Sequence, residues 1–236
     1  MSTETVLLTT GDGSHSIVSQ PFGVPYHSCH GAIQESRHVF LDAGLWDRLG
    51  EGPPQLRILE MGFGTGLNAL LTRQVATHFP CTAIHYYACE RFPLPSATAA
   101  HLNYPELLNL PRADFLALHD APWGQEVTLD PNFQLWKWEG DFLAGLPTAW
   151  PLGRIDLIYY DAFAPSSQPE LWTPEALAIC FAALAPGGVL VTYCAKGAFK
   201  RNLKSVGFIV EGLPGPPGKR EMVRARRPFS NAEPAL

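Results

Sequence analysis

The stretch Leu56-Arg57-Ile58-Leu59-Glu60-Met61-Gly62-Phe63-Gly64-Thr65-Gly66-Leu67-Asn68 constrains this chain more than any other, because an apolar run ends on an acid and passes into three alternating glycines. The run suits a buried strand, and Leu67, Ala69, Leu70, Leu71, Val75 and Ala76 then cluster apolar residues at helical spacing. The pattern predicts strand, tight turn and helix start. Glycines at 62, 64 and 66 let the backbone turn sharply and admit a ligand where a Cβ would block it. The amides that open the next helix point at whatever fills that gap.

Spacing selects the ligand. A dinucleotide-binding turn reads G-x-G-x-x-G and seats a pyrophosphate on the helix N-terminus. Here the pattern is Glu60-x-Gly62-x-Gly64-x-Gly66, which resembles motif I of the S-adenosylmethionine-dependent methyltransferases. An acid at the strand end repels a pyrophosphate but accepts hydrogen bonds, directly or through water, from the ammonium of a methionine moiety. A turn without a ligand is the rival reading, and it needs one glycine at positive φ rather than three.

At 236 residues the chain fits one α/β domain with a substantial core. Hydrophobic residues make up 46% and charged residues 17%, against about 25% charged in ordinary domains, which excludes a disordered chain. No apolar run approaches the roughly 20 residues of a bilayer span, and the first residues lack the basic-then-apolar order of a signal peptide, so the expected location is the cytoplasm. Cys29, Cys81, Cys89, Cys180 and Cys194 contain no C-x-x-C pair and read as reduced core residues. His27-Ser28-Cys29-His30 is the nearest approach to a zinc cluster, and a non-metal role is expected there. Net charge is −5, yet nine of the 17 Lys and Arg lie between Lys196 and Arg227 with only Glu211 and Glu221 for acids. Such asymmetry fits either an electrostatic footprint for a phosphate-bearing partner or a solvated face.

Turn signals at Gly11-Asp12-Gly13 predict an N-terminal β-hairpin within residues 4–20, and His30 to Leu49 reads as helical. Ala83 to Glu90 is the second parallel strand, and Glu90 at its carboxyl end is placed to accept both hydroxyl protons of a ribose. Pro95 to Leu118 is helical but broken at Pro105 and Pro111, and Val127 to Trp138 forms an extended pair. Asp141, beside Phe142, either accepts from an adenine amino group while the ring of Phe142 covers the base, or caps a helix; local sequence favours the cap. Ile155 to Asp161 is a strand whose last acid emerges beside the glycine turn. A helix from Pro174 to Leu184, a turn at Pro186-Gly187-Gly188, a strand from Val189 to Cys194 and a basic helix from Lys196 to Ser205 follow. Phe208-Ile209-Val210 and Met222-Val223 complete an antiparallel hairpin. The expected architecture is a Rossmann-like doubly wound α/β sheet, mostly parallel. Its parts are an N-terminal hairpin and helical extension on the substrate side (1–54), a methyltransferase core (55–228) and a loose tail (229–236).

Glu60 to Asn68, Asp161-Ala162-Phe163-Ala164-Pro165 with Trp172-Thr173, Pro186-Gly187-Gly188 and Gly218-Lys219-Arg220-Glu221-Met222 closely resemble the methyltransferase part of MnmC and its stand-alone MnmD forms. Gln34-Glu35-Ser36-Arg37-His38-Val39-Phe40 is similar to that family's N-terminal signature, so the resemblance spans nearly the whole chain. It implies methylation of the amine of 5-aminomethyluridine at the tRNA wobble position, with S-adenosyl-L-methionine as cofactor and the anticodon stem-loop as partner. The family's usual Asp-Gly-Phe-Ala-Pro carries Ala162 here, which keeps the loop's course if φ at 162 is negative. The FAD-dependent oxidase domain of fused members is missing from this sequence, so the resemblance implies a separate enzyme supplying the aminomethyl intermediate.

Together, the residues and the resemblance place Glu60, Gly62, Phe63, Gly64 and Gly66 at the methionine part of the cofactor, Glu90 at the ribose, and Asp141 with Phe142 at the adenine, with Asn68 a further cofactor-binding residue. Asp161 is the candidate catalytic group, orienting the acceptor ammonium and taking or relaying its proton. Glu35, Arg37, Phe163, Trp172, Lys196, Lys219 and Arg220 are the candidate substrate-binding residues, the aromatics for stacking on a flipped base and the cations for phosphate. A spermidine-synthase-like aminopropyl transferase and a non-catalytic RNA-binding module are the competing functions.

Overall fold

A computed structural model describes residues 6–229. The predicted N-terminal hairpin is present as β1 (Leu7–Thr9) and β2 (His15–Ile17), a separate antiparallel pair. After it, Ala32–Ser36, a π-helical stretch Arg37–Leu45 and Trp46–Leu49 follow one another without a break. Gly44 lets this rod lie close on the sheet, since a Cβ there would stand 3.1 Å from Leu157 and Val191.

The core strands are β3 (Gln55–Met61), β4 (Ala83–Glu90), β5 (Glu126–Asp130), β6 (Phe133–Glu139), β7 (Ile155–Tyr160), β8 (Leu184–Thr192), β9 (Ile209–Pro214) and β10 (Glu221–Arg226). They form one eight-stranded sheet in the order β5-β6-β4-β3-β7-β8-β10-β9. The inner five strands are parallel; β5 at one edge, and β10 with β9 at the other, pair antiparallel. Strand order reverses between β3 and β7, which opens a crevice at their carboxyl ends.

Side-chain alternation along the strands builds two cores. Ile58, Tyr86 and Tyr159 face a layer with Phe40 and Leu45 of the N-terminal rod, Leu70 and Leu71 of helix Leu67–Ala76, and Phe115 of helix Arg112–Asp120. Leu59, Ile158 and Tyr160 face the opposite layer, with Leu177 and Cys180 of helix Pro174–Ala183 and Phe199 and Leu203 of helix Gly197–Val206. Each large apolar side chain buried this way contributes roughly 1.5–3 kcal/mol relative to exposure. The hairpin's Ile17 and the rod belong to the first of these cores, so they are packed on the sheet rather than hung from it.

Two expectations change, and a third falls outside the described residues. Pro186-Gly187-Gly188 lies inside β8 instead of before it; the pairing with β7 shifts register between Ile155 and Leu157, and this bulge absorbs Gly187 at φ 79°. Cys29 and Cys81 are exposed rather than in the core, because each falls in a connection, while Cys89, Cys180 and Cys194 are buried. The proposed tail from 229 falls outside the described residues except for Phe229, as do residues 1–5. No helix of the described residues is long and apolar enough to cross a membrane.

Candidate active site

The crevice holds a cavity of about 300 Å³. Its floor is the glycine turn after β3. Gly62 has φ 92°, and a Cβ there would meet the carbonyl oxygen of Asp161 at 2.7 Å. Only glycine lets the ends of β3 and β7 come this close. Helix Leu67–Ala76 then starts from Gly66 with no side chain capping its first turn, which leaves its opening amides for a ligand. Thr65 is pinned by His27 Nε2, 2.7 Å from its Oγ1, and by the Tyr104 hydroxyl at 3.3 Å. Burial pushes His27 down to about 4, so the imidazole is neutral.

Glu90 ends β4 beside this turn. Its Oε2 accepts the Gly64 amide at 3.0 Å and its Oε1 the Phe92 amide at 2.8 Å. Each oxygen keeps a lone pair for a further donor. Asp141 accepts the Leu143 amide at 3.0 Å as the cap of the short helix Phe142–Ala144 and pairs with Arg91 at 3.3 Å, so the cap is present at a residue that also lines the cavity. Phe142 is buried and lines the same wall.

Asp161 follows β7 and accepts from Asn68 Nδ2 at 2.9 Å. Desolvation raises it to about 7, with the charge of Glu35 adding to the rise and Asn68 and Lys219 opposing it. A carboxyl balanced near neutrality can hold a proton or release one. Ala162 adopts no positive φ, the backbone condition under which alanine keeps the loop's course; Asn109 is the one non-glycine with positive φ among the described residues.

Glu60 departs from its expected place. It is wholly buried, does not line the cavity, and neither of its carboxylate oxygens has a hydrogen-bond partner. Strand alternation turns it away from the cavity toward Tyr86, Tyr159 and Asn68, and burial holds its carboxyl well above the ordinary range.

On the opposite wall stand Glu35 from the N-terminal rod, Phe163, Tyr193 after β8, and Lys219 from the tip of the β9–β10 hairpin. Lys219 Nζ lies 2.5 Å from Glu35 Oε2 and 3.9 Å from the centroid of the Tyr193 ring. Phe163 packs against Phe22 and Tyr26 at centroid distances of 4.7 and 5.1 Å. Five carboxylates line the cavity (Glu35, Glu90, Asp141, Asp161 and Glu170) against the cations Arg91 and Lys219, so the space favours cationic ligands over phosphate.

The remaining candidates lie elsewhere. Trp172 is buried, donates its indole N–H to Phe163 O at 2.8 Å and packs on Tyr160 and Phe199; it shapes the loop and has no free face for a base. Arg37 lines a separate groove with Asp12, His38 and Asp42, because helical periodicity turns it away from Glu35. Lys196 and Arg220 are exposed beyond the cavity. Much of the C-terminal basic charge is spent inside the fold: Lys200 pairs with Glu221 at 2.6 Å, Arg224 with Glu211 at 2.8 Å, and Arg227 donates to Phe181 O and Leu184 O. Lys196, Arg201, Lys204 and Arg220 form no ion pair among the described residues. Sequence reasoning missed Phe22, Tyr26, His27 and Tyr193 at the cavity; the first three sit in a proline-flanked connection without periodicity, and Tyr193 reads as one more apolar strand residue.

Residues 114–228 match the family model described as "S-adenosyl-L-methionine-dependent methyltransferase". The chain is similar to the "tRNA 5-methylaminomethyl-2-thiouridine biosynthesis bifunctional protein MnmC" of Pseudomonas paraeruginosa, with 34% identity over 87% of this chain and 33% of the relative. The protein of the same name from Ectopseudomonas mendocina is 36% identical over 92% of this chain and 34% of its own length. The chain thus spans about a third of the length of these curated relatives. The crystal structure of MNMC2 from Aquifex aeolicus shares the fold at a TM-score of 0.76 and 23% identity, over 99% of this chain and 73% of that one. A probable spermidine synthase from Corynebacterium glutamicum shares it at 0.51 and 19%, over 95% and 76%.

Proposed function

We propose that the chain is an N-methyltransferase that uses S-adenosylmethionine to convert 5-aminomethyluridine, or its 2-thio form, to the 5-methylaminomethyl product at the wobble position of tRNA. The observation that carries this reading is Asp161, a desolvated carboxyl raised to about 7 that accepts from Asn68 and lines a glycine-floored, acid-lined cavity. The names of the curated relatives supply the RNA and the modified base.

The cavity fits the cofactor by its chemistry. Its acidic lining suits a molecule carrying a sulfonium and an ammonium, Glu90 retains acceptor capacity for ribose hydroxyls, and the wall of Asp141 and Phe142 offers an acceptor and a ring face for adenine. The bound cofactor supplies an electrophilic methyl group. The chain's own residues have two tasks. Phe163, Phe22 and Tyr26 form an aromatic rim that excludes water and offers apolar surface to a base. Asp161 orients the acceptor and accepts its proton, because an alkylammonium with a pKa near lysine's, about 10, has no lone pair for attack.

In this reading residues 6–54 close the substrate side of a core spanning 55–228, and Lys196 and Arg220, outside the cavity, meet phosphates of the anticodon stem-loop. Mass spectrometry of wobble nucleosides, after incubating the chain with the cofactor and aminomethyl tRNA, tests the proposal. A gain of one methyl on the aminomethyl group is expected. Transfer to a free polyamine without RNA would select an aminopropyl-transferase-like enzyme, and RNA binding without cofactor binding would leave only a binding module.

A further inference from the structure

Lys219 is the feature that phosphate binding does not explain. It reaches from the hairpin tip into the cavity instead of outward, its side chain is 31% exposed, and its ammonium is held on two sides. Glu35 supplies one of them: this carboxylate is 10% exposed, its Oε1 accepts the Ser28 amide at 3.2 Å, and its Oε2 is left for the ammonium. The Tyr193 ring supplies the other, and its orientation is fixed because its hydroxyl donates to Ala162 O at 2.7 Å. A buried carboxylate beside a fixed aromatic face is the chemistry that recognises an alkylammonium. Both Glu35 and Lys219 act electrostatically on Asp161, so this pair stands at the proposed reacting carboxylate and not at a remote wall.

We propose that Glu35 and Tyr193 form the subsite for the acceptor's primary ammonium, and that Lys219 occupies it as a resident surrogate until the acceptor displaces it. The inference rests on the amine-methylating reading above and deepens it: Glu35 becomes the contact for the acceptor's ammonium in particular, and Lys219 a competitor rather than a phosphate contact. Bound this way, the acceptor amine lies within the field of Asp161 before its proton is removed. The neutral hydroxymethyl analogue has no such anchor.

The test is calorimetry on the whole chain at about pH 8 with two probes, the nucleosides 5-aminomethyluridine and 5-hydroxymethyluridine, neither of which carries a phosphate. Lys219→Met removes the competitor, so affinity for the aminomethyl probe should rise about tenfold, as when a protein is freed from a state that is nine-tenths incompetent. The hydroxymethyl probe should bind wild type and variant alike. Glu35→Gln should weaken the aminomethyl probe selectively. Lys219→Gln, which can still donate a hydrogen bond to Glu35, serves if the Met variant does not fold. Equal or weaker binding of the aminomethyl probe by a folded Lys219 variant would overturn the proposal. Tighter binding by a chain that methylates no RNA would keep the subsite and remove the reaction.

Discussion

On one side of the cavity, the glycine turn, Glu90 and Asp141 come from the carboxyl ends of three adjacent parallel strands, within 55–141. On the other, Glu35, Phe163, Tyr193 and Lys219 arrive from a helical rod, two further strand ends and a hairpin tip, with the two members of the Glu35–Lys219 pair 184 positions apart in sequence. The first wall is made largely of backbone groups and carboxylates that accept from backbone amides. The second is made of side chains that contact one another. A wall fixed by sheet register tolerates little change of shape, whereas a wall of converging side chains can exchange one partner for another. Cofactor recognition fits the first behaviour and acceptor recognition the second.

The sharpest way to break this division is at Asp161, where the walls meet. Asp161→Asn should lower turnover about 10²–10⁴-fold while leaving cofactor affinity by calorimetry unchanged. In wild type, kcat/KM should fall as pH drops through about 7, because protonated Asp161 cannot accept the acceptor's proton, and this limb should vanish in the variant. A turnover close to wild type would remove Asp161 from the chemistry.

Glu90→Ala addresses the first wall alone. Loss of charge-assisted acceptors for a ribose, worth about 1.5–3 kcal/mol, predicts ten- to hundredfold weaker cofactor binding, with acceptor KM little altered. An equal effect on both ligands would show that the walls are not separable. A smaller effect is expected outside both. The double variant Lys196→Glu and Arg220→Glu should weaken stem-loop binding and flatten its salt dependence by about one logarithmic unit per lost phosphate contact, whereas binding of the free nucleoside should not change.

The smallest effect concerns Glu60. Burial favours its protonated form, so its contribution to stability is complete below the ordinary carboxyl value of 4.5 and is lost as pH rises from there toward its raised folded value. Glu60→Gln should therefore lose less thermal stability than wild type as pH rises above 4.5, with each 1 kcal/mol of difference appearing as about 2–4 °C in Tm. Cofactor affinity unaffected by this change would match the position of Glu60 behind the cavity. A large loss would return it to the ligand, as its place at the head of the glycine motif suggests.

The two walls were also unequally legible. Glu60-x-Gly62-x-Gly64-x-Gly66 and the strand-terminal positions of Glu90 and Asp161 are local patterns, and parallel pairing of β3 with β4 and β7 brings those positions to one edge. The family resemblance pointed to Glu35 and Lys219, but as separate substrate contacts. Their pairing, and the Tyr193 face between them, depend on how the rod and the hairpin tip pack. Trp172 shows the converse: it looks available in sequence, yet its indole closes the 163–172 loop.

Sequence by itself determined the alternation of strands and helices, the sharp glycine turn and the acids at strand ends, because these follow from residue periodicity and from backbone freedom at single positions. Tertiary structure decided which charges remain free. Arg224, Arg227, Lys200 and Lys219 look alike along the chain, but three are consumed by carboxylates and one by helix-end carbonyls. It also decided that Glu60 faces away from the cavity while Asp161 faces in. Coulomb energy and desolvation depend on distances through space, and a chain's order does not contain those distances until its core has packed.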